Sequence, residues 1–344
     1  MNTSKRKAAL ISGVSGQVGS YLTELLLKKG YEVHGMITRE WMGFEALKNL
    51  KHLTDDEEIY RKKLFFHTGD LSDASSVNRV IQEVVPDEIY NLAAQADVME
   101  SFYLPEMSVD VNGIGVIRVL EAMRRFCPEA RLYQASTSEL FGDVEGVTPQ
   151  NEKTRFNPQS PYAWGKFVGF QAVKKYREMY GLYACNGILF NHESPRRGDD
   201  YLTRKVTRAA ARIKHGLQKN LRLGNLEARR DWGYALDYAE VEWRILQQEK
   251  ADDYCIGTGE THSVEEWVDA AFSYVGLNWK DYVIQDPRLF RPAEVDVLQA
   301  DYSKARDEIG WEPAVRFNEL VKIMMDADLE KARIEANSYA ISSS

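Results

Sequence analysis

Cysteine is scarce in this 344-residue chain. Cys127, Cys185 and Cys255 are far apart and show no CxxC spacing. That argues against a disulfide framework and a metal site, and it suits a reducing, cytoplasmic compartment. Long apolar runs are lacking too. No stretch of about 18 apolar residues occurs, so no membrane span is expected. The opening Met1-Asn2-Thr3-Ser4-Lys5-Arg6-Lys7 runs into a short strand pattern rather than a secretory signal. Positive charge is in deficit, with a net charge of −8, which argues against nucleic acid as a partner.

What is present is a chain that is 44% hydrophobic, ample for a large buried core. Its 18 Tyr and 7 Trp suit either that core or a sugar pocket. The scarce positive charge gathers in one place. Between 196 and 230 stand eleven cations: Arg196, Arg197, Arg204, Lys205, Arg208, Arg212, Lys214, Lys219, Arg222, Arg229 and Arg230. Only Asp199, Asp200 and Glu227 oppose them. Such an island suits a small polyanion, and equally a solvated helix face with arginine used in packing.

Strand patterns at 7–12, 31–37, 64–67, 88–93 and 131–135 alternate with helix patterns at 17–29, 74–84, 113–125 and 165–180. The alternation predicts an α/β fold, a doubly wound parallel-sheet Rossmann domain over 1–190. After about residue 190 loops lengthen and strands shorten. A smaller, partly interleaved C-terminal substrate domain is expected over 191–330, with a return to the sheet near 253–257. The polar tail, 331–344, is expected to fray.

Gly13, Gly16 and Gly19 form GxxGxxG between the first strand and the first helix. A β-carbon there would block close approach of a pyrophosphate, whose charge the helix N-terminus favours. After the second strand come Thr38, Arg39 and Glu40. Arg39 suits the extra phosphate of NADP, against which Glu40 is a counter-argument. Asp70, after the third strand, suits an adenine amino group or a helix cap. Asn91-Leu92-Ala93-Ala94-Gln95 ends the fourth strand with small residues that leave room for a cofactor.

Tyr162 and Lys166 form YxxxK, one helical turn apart. The ammonium is expected to draw the phenol's pKa from about 10 toward neutrality, making it a base for a sugar hydroxyl. Ser136-Thr137-Ser138-Glu139 closes the fifth strand at the edge where such sheets place chemistry. Oxidation needs only a hydroxyl there. Glu139 adds a carboxylate able to remove a proton beside a ketone, which is elimination chemistry.

These segments resemble the GDP-mannose 4,6-dehydratase family over about 7–330. The resemblance also rests on Gln134–Gly142, Ser160-Pro161-Tyr162-Ala163, Asn186–Gly198, Leu223-Gly224-Asn225-Leu226, Arg230-Asp231-Trp232-Gly233 and Arg291–Asp296. It implies Thr137, Glu139, Tyr162 and Lys166 as the catalytic group. It implies cofactor contacts in the loop of Gly13, Ser15, Gly16, Gln17, Val18 and Gly19, and at Arg39, Asp70, Leu71, Leu92, Ala93, Ala94, Gln95, Tyr162, Lys166, His192 and Arg197. Ser138, Glu139, Asn191, Lys205, Leu223, Gly224, Arg230, Arg291 and Glu294 are expected around a GDP-sugar.

The implied enzyme uses NADP, no metal, and forms a homodimer or homotetramer. The chain departs from the family pattern at Val18, at Ala96-Asp97, around Arg39 and at Tyr234. Another GDP-sugar, such as GDP-manno-heptose, therefore stays open as substrate. An epimerase, a reductase or a silent NADP-binding regulator are further alternatives. The epimerase and the reductase have no need of Glu139, and a silent regulator has no reason to keep all four catalytic residues.

Overall fold

The structure, a computed structural model, describes residues 6–39, 47–143, 147–290 and 295–342. Among them no helix is long and apolar enough to cross a membrane. The first stretch alternates as expected. β1 (Ala8–Ser12) leads through the glycine turn to α1 (Gln17–Lys28) and β2 (Glu32–Ile37). A short α2 (Lys51–Thr54) precedes β3 (Leu64–Thr68), α3 (Ala74–Val84) and β4 (Glu88–Asn91). Two short helices, α4 (Val98–Tyr103) and α5 (Pro105–Val109), run through a π-turn at Asp110–Ile114 into α6 (Gly115–Phe126). β5 (Arg131–Thr137), α7 (Pro161–Tyr180) and β6 (Tyr183–Leu189) follow.

Beyond residue 190 the chain is richer in helix than the sequence pattern suggests. β7 (Asn191–Glu193), α8 (Leu202–Lys214), β8 (Leu221–Leu223), β9 (Arg229–Arg230) and β10 (Trp232–Tyr234) come first. Then come α9 (Ala235–Leu246), β11 (Tyr254–Ile256), β12 (His262–Ser263), α10 (Val264–Tyr274) and β13 (Val283–Gln285). α11 (Ser303–Ile309) and α12 (Phe317–Ser342) close it. The polar end is not frayed over the described residues. α12 runs to Ser342, Ala332 is buried, and Arg212 on α8 pairs with Glu335.

Seven strands form one parallel sheet in the order β11-β6-β5-β4-β1-β2-β3. Helices bury both faces, which is why β1 reads as a continuous apolar run. On one face Leu22 and Leu26 of α1 meet Tyr238 and Ile245 of α9. On the other, Val77, Leu120 and Val173 bring α3, α6 and α7 together. A separate core holds Val206, Leu223, Trp232, Trp267 and Met324, from α8, β8, β10, α10 and α12. Between the parts of the chain that build this core, it crosses back: β11 joins the sheet edge beside β6.

Candidate active site

The strand order reverses between β1 and β4, and in open parallel sheets ligands bind outside the carboxyl ends at such a point. Gly13 sits there with φ +69, and a β-carbon on it would come within 2.9 Å of the Ala93 nitrogen. At Gly19 a β-carbon would collide with the Gly13 carbonyl. No side chain caps the first turn of α1, so its N–H groups stay available for an anion. This cradle fits a dinucleotide pyrophosphate.

Other expected cofactor residues divide by what their side chains do. Ser15 and Gly16 lie at the turn, partly or fully exposed. Gln17 is occupied: its Nε2 donates to the His192 carbonyl at 2.9 Å, and its Oε1 accepts from Ser194 Oγ at 2.8 Å. Val18 and Leu71 pack in the cores, which leaves only their backbones to face a ligand. Asp70 accepts from Ser72 N and Ser72 Oγ, both at 2.7 Å. The cap of α3 is Asp73 instead, since α3 starts one residue after it. Arg39 is exposed just past β2. Ala93 N donates to Ser12 Oγ at 3.1 Å, and Leu92, Ala94 and Gln95 lie half-buried beside it.

The second cluster forms where β5 ends and α7 begins. Ser160 accepts from Ala163 N at 3.1 Å and Pro161 takes the first helical position, so α7 starts four residues earlier than its pattern suggests. That places Tyr162 and Lys166 in its first two turns. A tight fit keeps them there: a β-carbon on Gly165 would come within 2.9 Å of the Ser108 carbonyl. Lys166 Nζ donates to the Ala135 carbonyl of β5 at 2.9 Å. Thr137 Oγ1 accepts from Glu139 N at 3.3 Å, holding the strand-end turn that carries Ser138 and Glu139.

Burial pushes the Tyr162 phenol up to about 12; the Thr137 hydroxyl pulls it down, Glu139 and Tyr201 push it up, and Arg197 pulls it down. The expected descent toward neutrality is not found in the protein by itself. Lys166 Nζ lies 5.9 Å from the Tyr162 ring centre, turned to a carbonyl, and burial lowers its own pKa to about 8. Thr137, Glu139, Tyr162 and Lys166 are nonetheless brought together.

The segment after β6 meets this corner from the other side. His192 Nδ1 faces the Phe190 carbonyl at 3.0 Å and so carries the proton, leaving Nε2 as an acceptor. Burial, then the Arg197 charge, lowers its pKa to about 4, so the ring is neutral near pH 7. Asn191 is half-buried in β7. Leu223 packs in the core of the second half, and Gly224 lies against the Leu289 carbonyl. Arg230 is buried and donates to the Val295 carbonyl at 2.7 Å. Arg291 and Glu294 lie outside the described residues.

The cationic island is mostly neutralised. Arg196, Arg197, Arg204, Arg208, Arg212, Arg222 and Arg229 each pair with a carboxylate. Half-buried Lys205 on α8 shows no such partner among the described residues.

Residues 10–324 match the family model for GDP-mannose 4,6 dehydratase. The chain belongs to the GDP-mannose 4,6-dehydratase family. It is 54% identical over 335 residues to GDP-mannose 4,6 dehydratase 2 of Arabidopsis thaliana, covering 96% of this chain and 89% of that one. It is 45% identical over 360 residues to the GDP-mannose 4,6-dehydratase of Vibrio cholerae, covering 96% of each. Among solved structures it resembles the UDP-glucose 4-epimerase of Thermus thermophilus in complex with NAD. There the TM-score is 0.80 at 27% identity, covering 93% of this chain and 98% of that one.

Three residues of this dehydratase-family scaffold escaped sequence reasoning. Buried Asn112, in the π-turn, accepts from Gln95 N at 3.0 Å and donates to the Gln95 carbonyl at 2.9 Å. Asp231 collects Thr258 N, Thr258 Oγ1, Gly259 N and Ala300 N at 2.7–3.1 Å. Glu193 is buried beside Arg197. Asp231 and Glu193 lie inside the family-like segments, which was the available signal; Asn112 had none.

Proposed function

We propose that the protein converts GDP-mannose to GDP-4-keto-6-deoxymannose by a redox-neutral dehydration. Support comes from its relatives, named GDP-mannose 4,6 dehydratases in a plant and a bacterium. One observation carries the chemistry: Glu139 sits within electrostatic reach of the Tyr162–Thr137 pair, a carboxylate that oxidation alone does not need.

A nicotinamide cofactor held at the Gly13–Gly19 turn would supply the hydride acceptor for the oxidation and the hydride donor for the reduction that follows. Tyr162 takes the proton of the carbon 4 hydroxyl, and Thr137 holds the sugar oxygen. Lys166, anchored on Ala135, keeps positive charge near that phenol. Ketone formation acidifies carbon 5. Glu139 removes that proton and passes it to the departing carbon 6 hydroxyl, which leaves as water. The proton kept by Tyr162 goes to carbon 5 as carbon 6 is reduced, so every proton and the hydride are accounted for.

The finer assignments are part of this reading. Exposed Arg39 favours NADP. The 1–190 stretch with β11 serves the cofactor, and 191–330 serves the nucleotide sugar, with Lys205 available to phosphate. Trp164, Met179 and Tyr180 on α7 and Tyr103 on α4 are exposed apolar side chains that a homodimer could cover. Three free, buried cysteines accord with the cytoplasm. The test is incubation with GDP-mannose, GDP-manno-heptose, UDP-glucose and dTDP-glucose, with mass detection of the loss of one water. Dehydration of GDP-mannose is expected. Its absence beside turnover of another sugar would overturn the substrate.

A further inference from the structure

Arg197 is the second-half cation whose charge acts on the Tyr162 phenol, more weakly than Thr137 or Glu139 does, and three neighbours surround it. Its Nε lies 3.3 Å from Oε2 of Glu193, an ion pair outside hydrogen-bond geometry that leaves this buried nitrogen without a hydrogen bond among the described residues, and its guanidinium carbon lies 3.7 Å from the centre of the Tyr201 ring. Its backbone N–H donates to the Ser194 carbonyl at 3.0 Å. Glu193 is itself fixed. Its side chain is 3% exposed, β7 pairs it with Tyr234 of β10, and Thr203 Oγ1 donates to its Oε2 at 2.6 Å. A buried carboxylate with a raised pKa is unfavourable unless it does something that a neutral side chain does not.

The geometry points to Glu193 as a positioning residue that clamps the Arg197 guanidinium on the Tyr201 ring and toward Tyr162, so that proton transfer at the phenol depends on a carboxylate that never meets the sugar. The inference rests on Tyr162 acting as the base. The groups facing Tyr162 are Thr137, Glu139, Lys166, Tyr201 and Arg197. Those facing Arg197 and Tyr201 also include His192, Asp97 and Glu100. Of these, Arg197 stabilises the phenolate and is the one whose place Glu193 controls.

The sign of the effect separates positioning from simple charge. Glu193→Gln removes a negative charge, which by itself favours the phenolate and moves the acid limb of the kcat profile to lower pH. Loss of the clamp withdraws Arg197, raises the phenol's pKa and moves the limb to higher pH.

We expect Glu193→Gln to lower kcat roughly tenfold or more, with KM for GDP-mannose little changed and the limb displaced upward. An unmoved or downward limb overturns the proposal. A crystal structure of the variant decides the matter without substrate: Arg197 off the Tyr201 ring supports the clamp, Arg197 in place overturns it. Should wild type fail to dehydrate GDP-mannose, the functional reading falls while this arm still decides the clamp. If Glu193→Gln does not fold, Thr203→Val loosens the same carboxylate, and the same two outcomes apply in smaller measure.

Discussion

The two halves of the site handle buried charge in opposite ways. At the end of β5, Lys166 is 4% exposed and meets a backbone carbonyl, with no carboxylate beside it among the described residues. On α8, Arg204 is equally buried but faces Asp328 at 2.7 Å, and Thr207 donates to the same carboxylate. The first arrangement leaves a charge poorly compensated and therefore responsive to whatever binds. The second consumes charge in holding α8 to α12. At Lys166 the uncompensated charge sits beside the reacting groups, whereas at Arg204 the compensated one joins two helices of the second core.

The contrast is broken most severely at the reacting groups. Tyr162→Phe should abolish reduced cofactor in a single turnover, followed by absorbance. Glu139→Gln should still form reduced cofactor yet lose product by roughly a hundredfold to ten-thousandfold. Near-full dehydration by Glu139→Gln would make that carboxylate structural.

Next in size is the scaffold pair. Arg204→Ala strands Asp328 and should destabilise the fold by about 3–5 kcal/mol in urea unfolding. The double change Arg204→Met with Asp328→Leu should recover most of that, with kcat little altered. A large fall in kcat in the stable double variant would place chemistry where we see scaffold.

Arg39→Ala should remove a preference for NADP over NAD worth about 1.5–3 kcal/mol, read by titrating both cofactors. A wild type that prefers NAD reverses that assignment.

The smallest effect has the most telling sign. Lys166 falls from 10.5 to about 8 on folding, so its burial opposes folding by about 3 kcal/mol below pH 8. The unfolded chain binds the extra proton between those values. Stability from this group therefore rises with pH from about 8 to 10.5. Lys166→Met should lose activity, gain about 1–2 kcal/mol of stability near pH 7 after the Ala135 bond is lost, and flatten that rise. A less stable Lys166→Met would show that the ammonium is well compensated after all.

Sequence made the first region readable because its signals are local. The Gly13–Gly19 spacing, the Tyr162–Lys166 turn and Glu139 beside Thr137 each lie within a few residues. The second region resisted because its meaning lies in distant partners. Arg204 with Asp328 and Arg212 with Glu335 are separated by more than a hundred positions, so the island looked more cationic than it is. The end of the chain looked frayed for the same reason, since Glu335 finds its partner, Arg212, on α8. The phenol's pKa was misjudged because spacing reports neighbours on a helix and says nothing of desolvation.

The Gln17 bridge carries one more consequence. Gln17 holds the His192 carbonyl and the Ser194 hydroxyl, while Arg196 holds Ser20 at 3.1 Å and Glu24 at 2.6 Å. Four bonds thus rivet the first helix to the strap at 192–196, together worth several kcal/mol at about 0.5–1.5 kcal/mol each. Separating α1 from the strap at this seam would have to shear all four.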